Sequence, residues 1–186
     1  RAYQTRLATL REDRRWRCLL IYKNYGEAAG ATLEHVHSQV IALPFVPQEV
    51  REELTGANRH YRSTGACFYC AMSQTESASG TRLVTSTERF VALCPFAPRF
   101  SYETWILPKH HSATFESSSH DDILDLARAL RNVIIKLNCA LGNPASTISF
   151  THFRRRNLPN INTTGILRFC RKMPKPRVWN GVRAFI

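Results

Sequence analysis

Asn24-Tyr25-Gly26-Glu27-Ala28-Ala29-Gly30-Ala31-Thr32-Leu33-Glu34-His35-Val36-His37-Ser38-Gln39 is the stretch on which the fold turns. It places a glycine-bearing loop before two histidines two residues apart, and the apolar run Val40 to Phe45 follows. In an extended strand, positions i and i+2 point to the same face. If the strand runs from His35 to Leu43, then His35, His37 and Gln39 all look into one site. Gly26 and Gly30 let backbone come close to a ligand, as a phosphate cradle requires. A lone His-x-His pair would carry little weight, because alternate histidines on a strand can simply be solvated. The loop in front of it makes the signal specific.

Asn-x-Gly-x-x-x-Gly followed by His-x-His-x-Gln resembles the galactose-1-phosphate uridylyltransferases, a branch of the histidine-triad superfamily. The resemblance covers residues 1 to about 144. It implies that His37 is a nucleophile toward a nucleotide phosphorus, and that Gln39 donates a hydrogen bond to a phosphoryl oxygen as charge builds there. It implies that Gly30, Ala31 and Thr32 hold the diphosphate through backbone amides and the Thr32 hydroxyl, and that Asn24 contacts the nucleotide. His35 would ligate a first, structural zinc ion. Plainer readings stand beside these, with Asn24 capping a turn and Thr32 a surface residue.

A second constellation is independent of the first. Cys67-Phe68-Tyr69-Cys70 is a Cys-x-x-Cys, read as a turn after a helix, and Leu107-Pro108-Lys109-His110-His111 ends a later strand. Two thiolates and an imidazole are three of the four ligands of a tetrahedral zinc site. A redox pair is the competing reading, but such pairs usually open a helix in a βαβ unit, and the surrounding pattern is different. The resemblance selects His111 as the ligand with Cys67 and Cys70, leaving His110 solvated, and a last histidine would complete the set.

The remaining cysteines, Cys18, Cys94, Cys139 and Cys170, are scattered. That pattern suits a reducing, cytoplasmic compartment better than a disulfide framework. No run is long enough to span a membrane, and residues 1–17 are too charged for a signal peptide. The net charge of +12 would ordinarily suggest a nucleic-acid partner. Its distribution argues otherwise. Residues 1–144 carry 17 Lys and Arg against all 14 acidic residues, while 145–186 hold the other nine basic residues and no acid.

That basic tail, where the resemblance stops, has the marks of a shifted reading frame. The residues Ala145 to His152 can be encoded so that a frame two bases later reads Phe-Asn-Tyr-Leu-Ile-His-Thr. The same shift over Asn162 to Lys172 can read His-Tyr-Trp-His-Ile-Glu-Ile-Leu-Pro-Lys. Both resemble the family's wording at this place, and the second would supply the missing metal ligand. On this expectation the excess charge says nothing about partners.

The expected architecture is α+β, a histidine-triad-like antiparallel sheet with packed helices in an incomplete two-half arrangement. Residues 1–45 would be the last part of the first half and 46–144 most of the second. The resemblance implies that the first-half strands that hold the base lie outside this chain, with the two cysteines that would join His35. Helices are expected at Arg1 to Arg15, from Pro47 to about Tyr61, and from a Ser119 cap to Gly142. Strands are expected at Cys18 to Lys23, His35 to Leu43, Phe90 to Cys94 and Tyr102 to Leu107, with Thr75 to Gly80 a polar loop.

The implied activity is uridylyl exchange between UDP-glucose and galactose 1-phosphate in galactose metabolism, with zinc as the metal and a homodimer as the full-length assembly. An adenylyl-transferring phosphorylase acting on ADP-sugars fits the same motifs. A rival from another class is a non-enzymatic zinc-binding module with a nucleic-acid-binding tail, which leaves the Asn24–Gln39 string unexplained. The fragment alone would then be inactive if its missing parts are needed.

Overall fold

The computed structural model describes residues 1–35, 37–112, 114–153 and 167–171, with backbone alone at 153 and 167–171. The apolar start of strand β1 (Cys18–Tyr25) is buried from Cys18 to Ile21 and pairs antiparallel with β2 (Gln39–Leu43). A short 3-10 turn at Glu27–Ala29 lies between them. Beyond the helices α2 (Gln48–Thr64) and α3 (Phe68–Ser79) come β3 (Leu83–Ser86), β4 (Phe90–Leu93) and β5 (Thr104–Pro108). Helix α4 (His120–Leu141) follows, then β6 (Ser146–Phe153) and β7 (Leu167–Arg171); α1 (Ala2–Glu12) precedes them all. The seven strands form one antiparallel sheet in the order β2-β1-β6-β7-β5-β4-β3, and the class is α+β.

Helices α1 and α4 cover one face. Leu7 of α1 and Ala129, Val133 and Leu137 of α4 pack with Leu19, Ile21, Phe90, Ala92, Ile106 and Phe150. Helix α3 covers part of the other face, where Met72 meets Val91, Leu93 and Leu107. Strand β4 is therefore apolar at every position, since it is buried on both sides. Helix α4 starts as its sequence dictates, with Ser119 and Asp122 exchanging side-chain-to-backbone bonds in a capping box. Gly142 ends it in a left-handed conformation.

Several expectations are corrected. Strand β2 begins at Gln39, not His35: the β1–β2 ladder ends at the Tyr22–Gln39 pair, while on its other edge β1 pairs with β6 along its whole length. His35, His37 and Ser38 therefore lie outside the β1–β2 ladder. The Cys-x-x-Cys opens a helix rather than sitting in a turn, with Cys67 as the N-cap of α3. The supposed loop from Thr75 is the polar side of that helix, which runs on until Gly80 turns left-handed. Within it Glu76 is buried and accepts a 2.9 Å bond from Arg82 Nε. Strand β3 escaped notice. Within 145–186, residues 146–153 and 167–171 are strands of the same sheet.

Candidate active site and metal site

The hairpin register sets the first site. Tyr22 on β1 stands directly opposite Gln39 on β2, so both side chains share a face, and Asn24, two residues on, shares it too. This is the face opposite α1 and α4, because Leu19 and Ile21 point to those helices. The Tyr22 hydroxyl donates to Gln39 Oε1 at 2.5 Å. Gln39 Nε2 lies 3.3 Å from His37 Nε2, and His37 Nδ1 lies 3.0 Å from the His35 carbonyl oxygen. A carbonyl can only accept, so Nδ1 carries the hydrogen. Nε2 then holds the lone pair, toward which the Gln39 amide donates. His37 is half-buried and His35 exposed, their ring centroids 5.7 Å apart.

His35 thus contributes its backbone to this site. The i, i+2 strand geometry expected to align the two imidazoles is absent, since both lie before β2. Asn24 Oδ1 accepts from the Thr147 hydroxyl at 3.0 Å, which ties β1 to β6. The loop glycines serve backbone conformation, with Gly26 at φ 81° and Gly30 at φ 82°. The amides of Gly30 and Ala31, expected to face a diphosphate, donate to the carbonyls of Glu27 (2.7 Å) and Gly26 (3.3 Å) in this conformation. Thr32 is exposed beside them.

Tyr22 is the member that sequence reading missed. The signal lay in the hairpin register, which puts a phenol opposite the glutamine, but locating that register requires knowing where β2 begins.

The second site forms where α3 meets the end of β5. The Cys67 and Cys70 thiols and a His111 nitrogen all lie within 4.8 Å of one another, and Cys70 Sγ is 3.4 Å from His111 Nδ1. Cys67 and Cys70 fall three residues apart at the N-terminus of α3, which puts both thiols on one side. Soft thiolates with an imidazole suit a zinc-like ion. His110 is outside this group and lines a small cavity with Phe90 and Asp122 on the α4 face. His35 is not in it either; among the described residues this is the single group of three metal-ligating side chains. The proposed last histidine lies outside the described residues. Burial pushes the Cys18 thiol up to about 11 and also raises Cys94, so neither is a thiolate near neutral pH.

Register places the two sites on one sheet face. Trp105 is level with residue 168 of β7, that residue with Ser149 of β6, and Ser149 with Tyr22. Among the described residues, no helix is long and apolar enough to cross a membrane.

No family model matches the chain. It is 29% identical to an ADP-glucose phosphorylase of Arabidopsis thaliana over 178 residues, covering 88% of this chain and 49% of that protein. It is 34% identical to a galactose-1-phosphate uridylyltransferase of Thermotoga maritima over 118 residues, covering 63% of this chain and 36% of that protein. The chain therefore spans about half or less of the length of these relatives. The crystal structure of an Arabidopsis thaliana ADP-glucose phosphorylase with bound ADP-glucose superposes with a TM-score of 0.83 at 27% identity, covering 98% of this chain and 56% of that one. The shared sheet, over nearly all of this chain, and the uridylyltransferase and phosphorylase relatives converge with the His-x-His-x-Gln motif. The chain is similar in sequence to galactose-1-phosphate uridylyltransferases and to the related ADP-glucose phosphorylase, and it shares their α+β, histidine-triad-like fold.

Proposed function

We propose that this chain carries the nucleophile of a nucleotidyltransferase that moves a nucleotidyl group from a nucleotide sugar to a phosphate acceptor. The observation that carries the proposal is the 3.0 Å contact from His37 Nδ1 to the His35 carbonyl, which in the neutral ring places the hydrogen on Nδ1 and the nucleophilic lone pair on Nε2. In the first step the Nε2 lone pair attacks the α-phosphorus. The bond to the sugar-phosphate oxygen breaks, and a nucleotidyl-histidine results. In the second step an acceptor phosphate oxygen attacks the same phosphorus and regenerates His37. Two displacements at one residue give ping-pong kinetics.

Gln39 has a distinct role at each stage. Its amide hydrogen faces the lone pair in the free protein, and once phosphorus is bonded to Nε2 it faces the phosphoryl oxygens, where negative charge is greatest. Asn24 lies on the same face and would contact the nucleotide. Gly30 and Ala31 can offer amides to a diphosphate only if the loop opens, whereas Thr32 is exposed as it stands.

Cys67, Cys70 and His111 would hold a zinc ion, whose chemistry here is that of a cross-link between α3 and the end of β5. His35 would ligate a second ion with residues outside this chain.

Uridylyl transfer from UDP-glucose to galactose 1-phosphate is one form of this reaction, supported by the Thermotoga maritima relative. Adenylyl transfer from an ADP-sugar is the other, supported by the phosphorylase relative and its ADP-glucose-bound structure. Exchange assays with both donors test the proposal. His37→Ala should abolish exchange with whichever donor is used, and retained turnover would remove His37 from the mechanism.

A further inference from the structure

We propose that Trp105 is a positioning residue for the Cys67 and Cys70 thiols: anchored by the buried Glu103, its indole holds Tyr69, and Tyr69 sets the first turn of α3 against the end of β5. The inference rests on the reading of Cys67, Cys70 and His111 as a metal site.

The three ligands come from two elements. Cys67 is the N-cap of α3 and Cys70 lies in its first turn, whereas His111 lies three residues beyond β5. Their ligand atoms stay within 4.8 Å of one another only while the start of α3 is held in one place over the strand. Tyr69 stands between the two cysteines in sequence and is buried. Its ring meets that of Trp105 with centroids 6.3 Å apart and planes tilted by 54°, a geometry in which aromatic pairs attract. Met72, one turn further along α3, packs on the same apolar cluster as Trp105, formed by Val91, Leu93 and Leu107. Two contacts a turn apart fix the helix in rotation as well as in distance.

The indole is held in its turn. Trp105 Nε1 donates to Glu103 Oε1 at 2.9 Å. The same carboxylate accepts from the Arg99 amide at 2.7 Å and from its guanidinium at 3.2 Å. That guanidinium reaches on to Glu53 of α2 at 3.5 Å. A buried carboxylate gripped by several donors cannot turn to follow the ring, so the ring takes its orientation from the carboxylate. One line of contacts thus runs from α2 through Arg99, Glu103, Trp105 and Tyr69 to the thiols. Metal ligands bind well only when the groups behind them hold them in place, so the affinity of this site depends on that line.

The test uses Trp105→Phe in the full chain, which keeps a ring beside Tyr69 and removes the N–H that Glu103 holds. Competition with a chelator measures Kd for Zn²⁺, and thiolate-to-cobalt charge-transfer absorption with Co²⁺ reads how well the thiols engage. We expect Zn²⁺ to bind about tenfold more weakly, at the low end for groups that orient metal ligands, and the band per bound Co²⁺ to weaken. Leu7→Ala is the control: it truncates the core under α1, on the other side of the sheet, and should lower stability with Kd unchanged. An unchanged Kd in folded Trp105→Phe overturns the proposal, and so does an equal loss of affinity in Leu7→Ala. If Trp105→Phe does not fold, Tyr69→Leu decides, since it stays apolar and removes the ring; wild-type affinity there also overturns it. A wild-type chain without the charge-transfer band refutes the metal reading and the proposal with it, whereas a normal band with unchanged variants refutes the positioning alone.

Discussion

Replacing Gly26 by alanine is expected to destabilise the chain, and replacing Gly56 by alanine to stabilise it. Gly26 follows β1 with φ 81° and ψ 147°, close to a region that glycine alone populates. Holding another residue there costs about 1 to 3 kcal/mol. A Cβ at Gly26 would also sit 3.1 Å from Ala145 Cβ and 3.3 Å from its Cα, with backbone on both sides to resist movement. Partial relaxation limits that overlap to about 1 kcal/mol, at the low end for overpacking. Together the terms give a loss of about 2 to 4 kcal/mol. For a chain of this size that lowers Tm by about 4 to 16 °C. Gly56 is different. It lies on the exposed side of α2, with nothing within 4 Å of an added Cβ. Alanine there gains about 1 kcal/mol of helix propensity. Urea or thermal unfolding of the three chains measures both changes. A Gly26→Ala midpoint equal to wild type would refute the loop geometry and the seat of β6 against it. A Gly56→Ala loss would refute the open surface assigned to α2.

Other outcomes follow from the same structure. Glu103 is 1% exposed and accepts from the Arg99 amide at 2.7 Å, the Arg99 guanidinium at 3.2 Å and Trp105 Nε1 at 2.9 Å. Burial alone would raise its carboxyl, but those bonds outweigh it and hold the group below the ordinary 4.5. Its stabilisation is then present above that value and lost as pH falls through the lower folded one, so Glu103→Gln should cost about 2 kcal/mol near neutrality and less in acid. A gap between wild type and variant that stays constant from neutral to acid pH would contradict this. Cys67→Ser should lower zinc content and Tm together, and an unchanged metal content would exclude the Cys67, Cys70 and His111 site. Sequencing the coding DNA across 141–186 tests the frame expectation. One base gained or lost near Pro144, with a shifted frame reading His-Tyr-Trp-His, supports it, and an intact frame leaves β6 and β7 built from the residues as written.

Much of the fold was legible where a local pattern and its tertiary use agree. Ser119, Asp122 and the apolar spacing of α4 announce a capped helix, and the structure keeps it. The apolar starts of β1 and β4 read as strands for the same reason. Failures came where pairing decides. Nothing local to the two histidines says that the β1–β2 ladder ends at the Tyr22–Gln39 pair, so the expected strand starts too early. The polar run from Thr75 resembles a loop because α3 buries few of its residues, Tyr69, Ser73 and Glu76. The chemistry of the site was easier to see than its geometry. His37, Gln39 and the two thiols stand in motifs that mark them as candidates, His111 was selected over His110 by the resemblance and does lie beside the thiols, and Tyr22 needed the register. The engagement of the Gly30 and Ala31 amides needed the turn itself.

The central claim is that His37 takes the nucleotidyl group onto its Nε2. The most direct measurement is to mix the chain with ADP-glucose or UDP-glucose, trap it without acceptor, and locate the adduct by peptide mass spectrometry. The account predicts one nucleoside monophosphate on the peptide containing His37, acid-labile as a phosphorus–nitrogen bond is, absent from His37→Ala and removed by adding the acceptor phosphate. An adduct on another residue, or exchange that proceeds without any adduct, would contradict it.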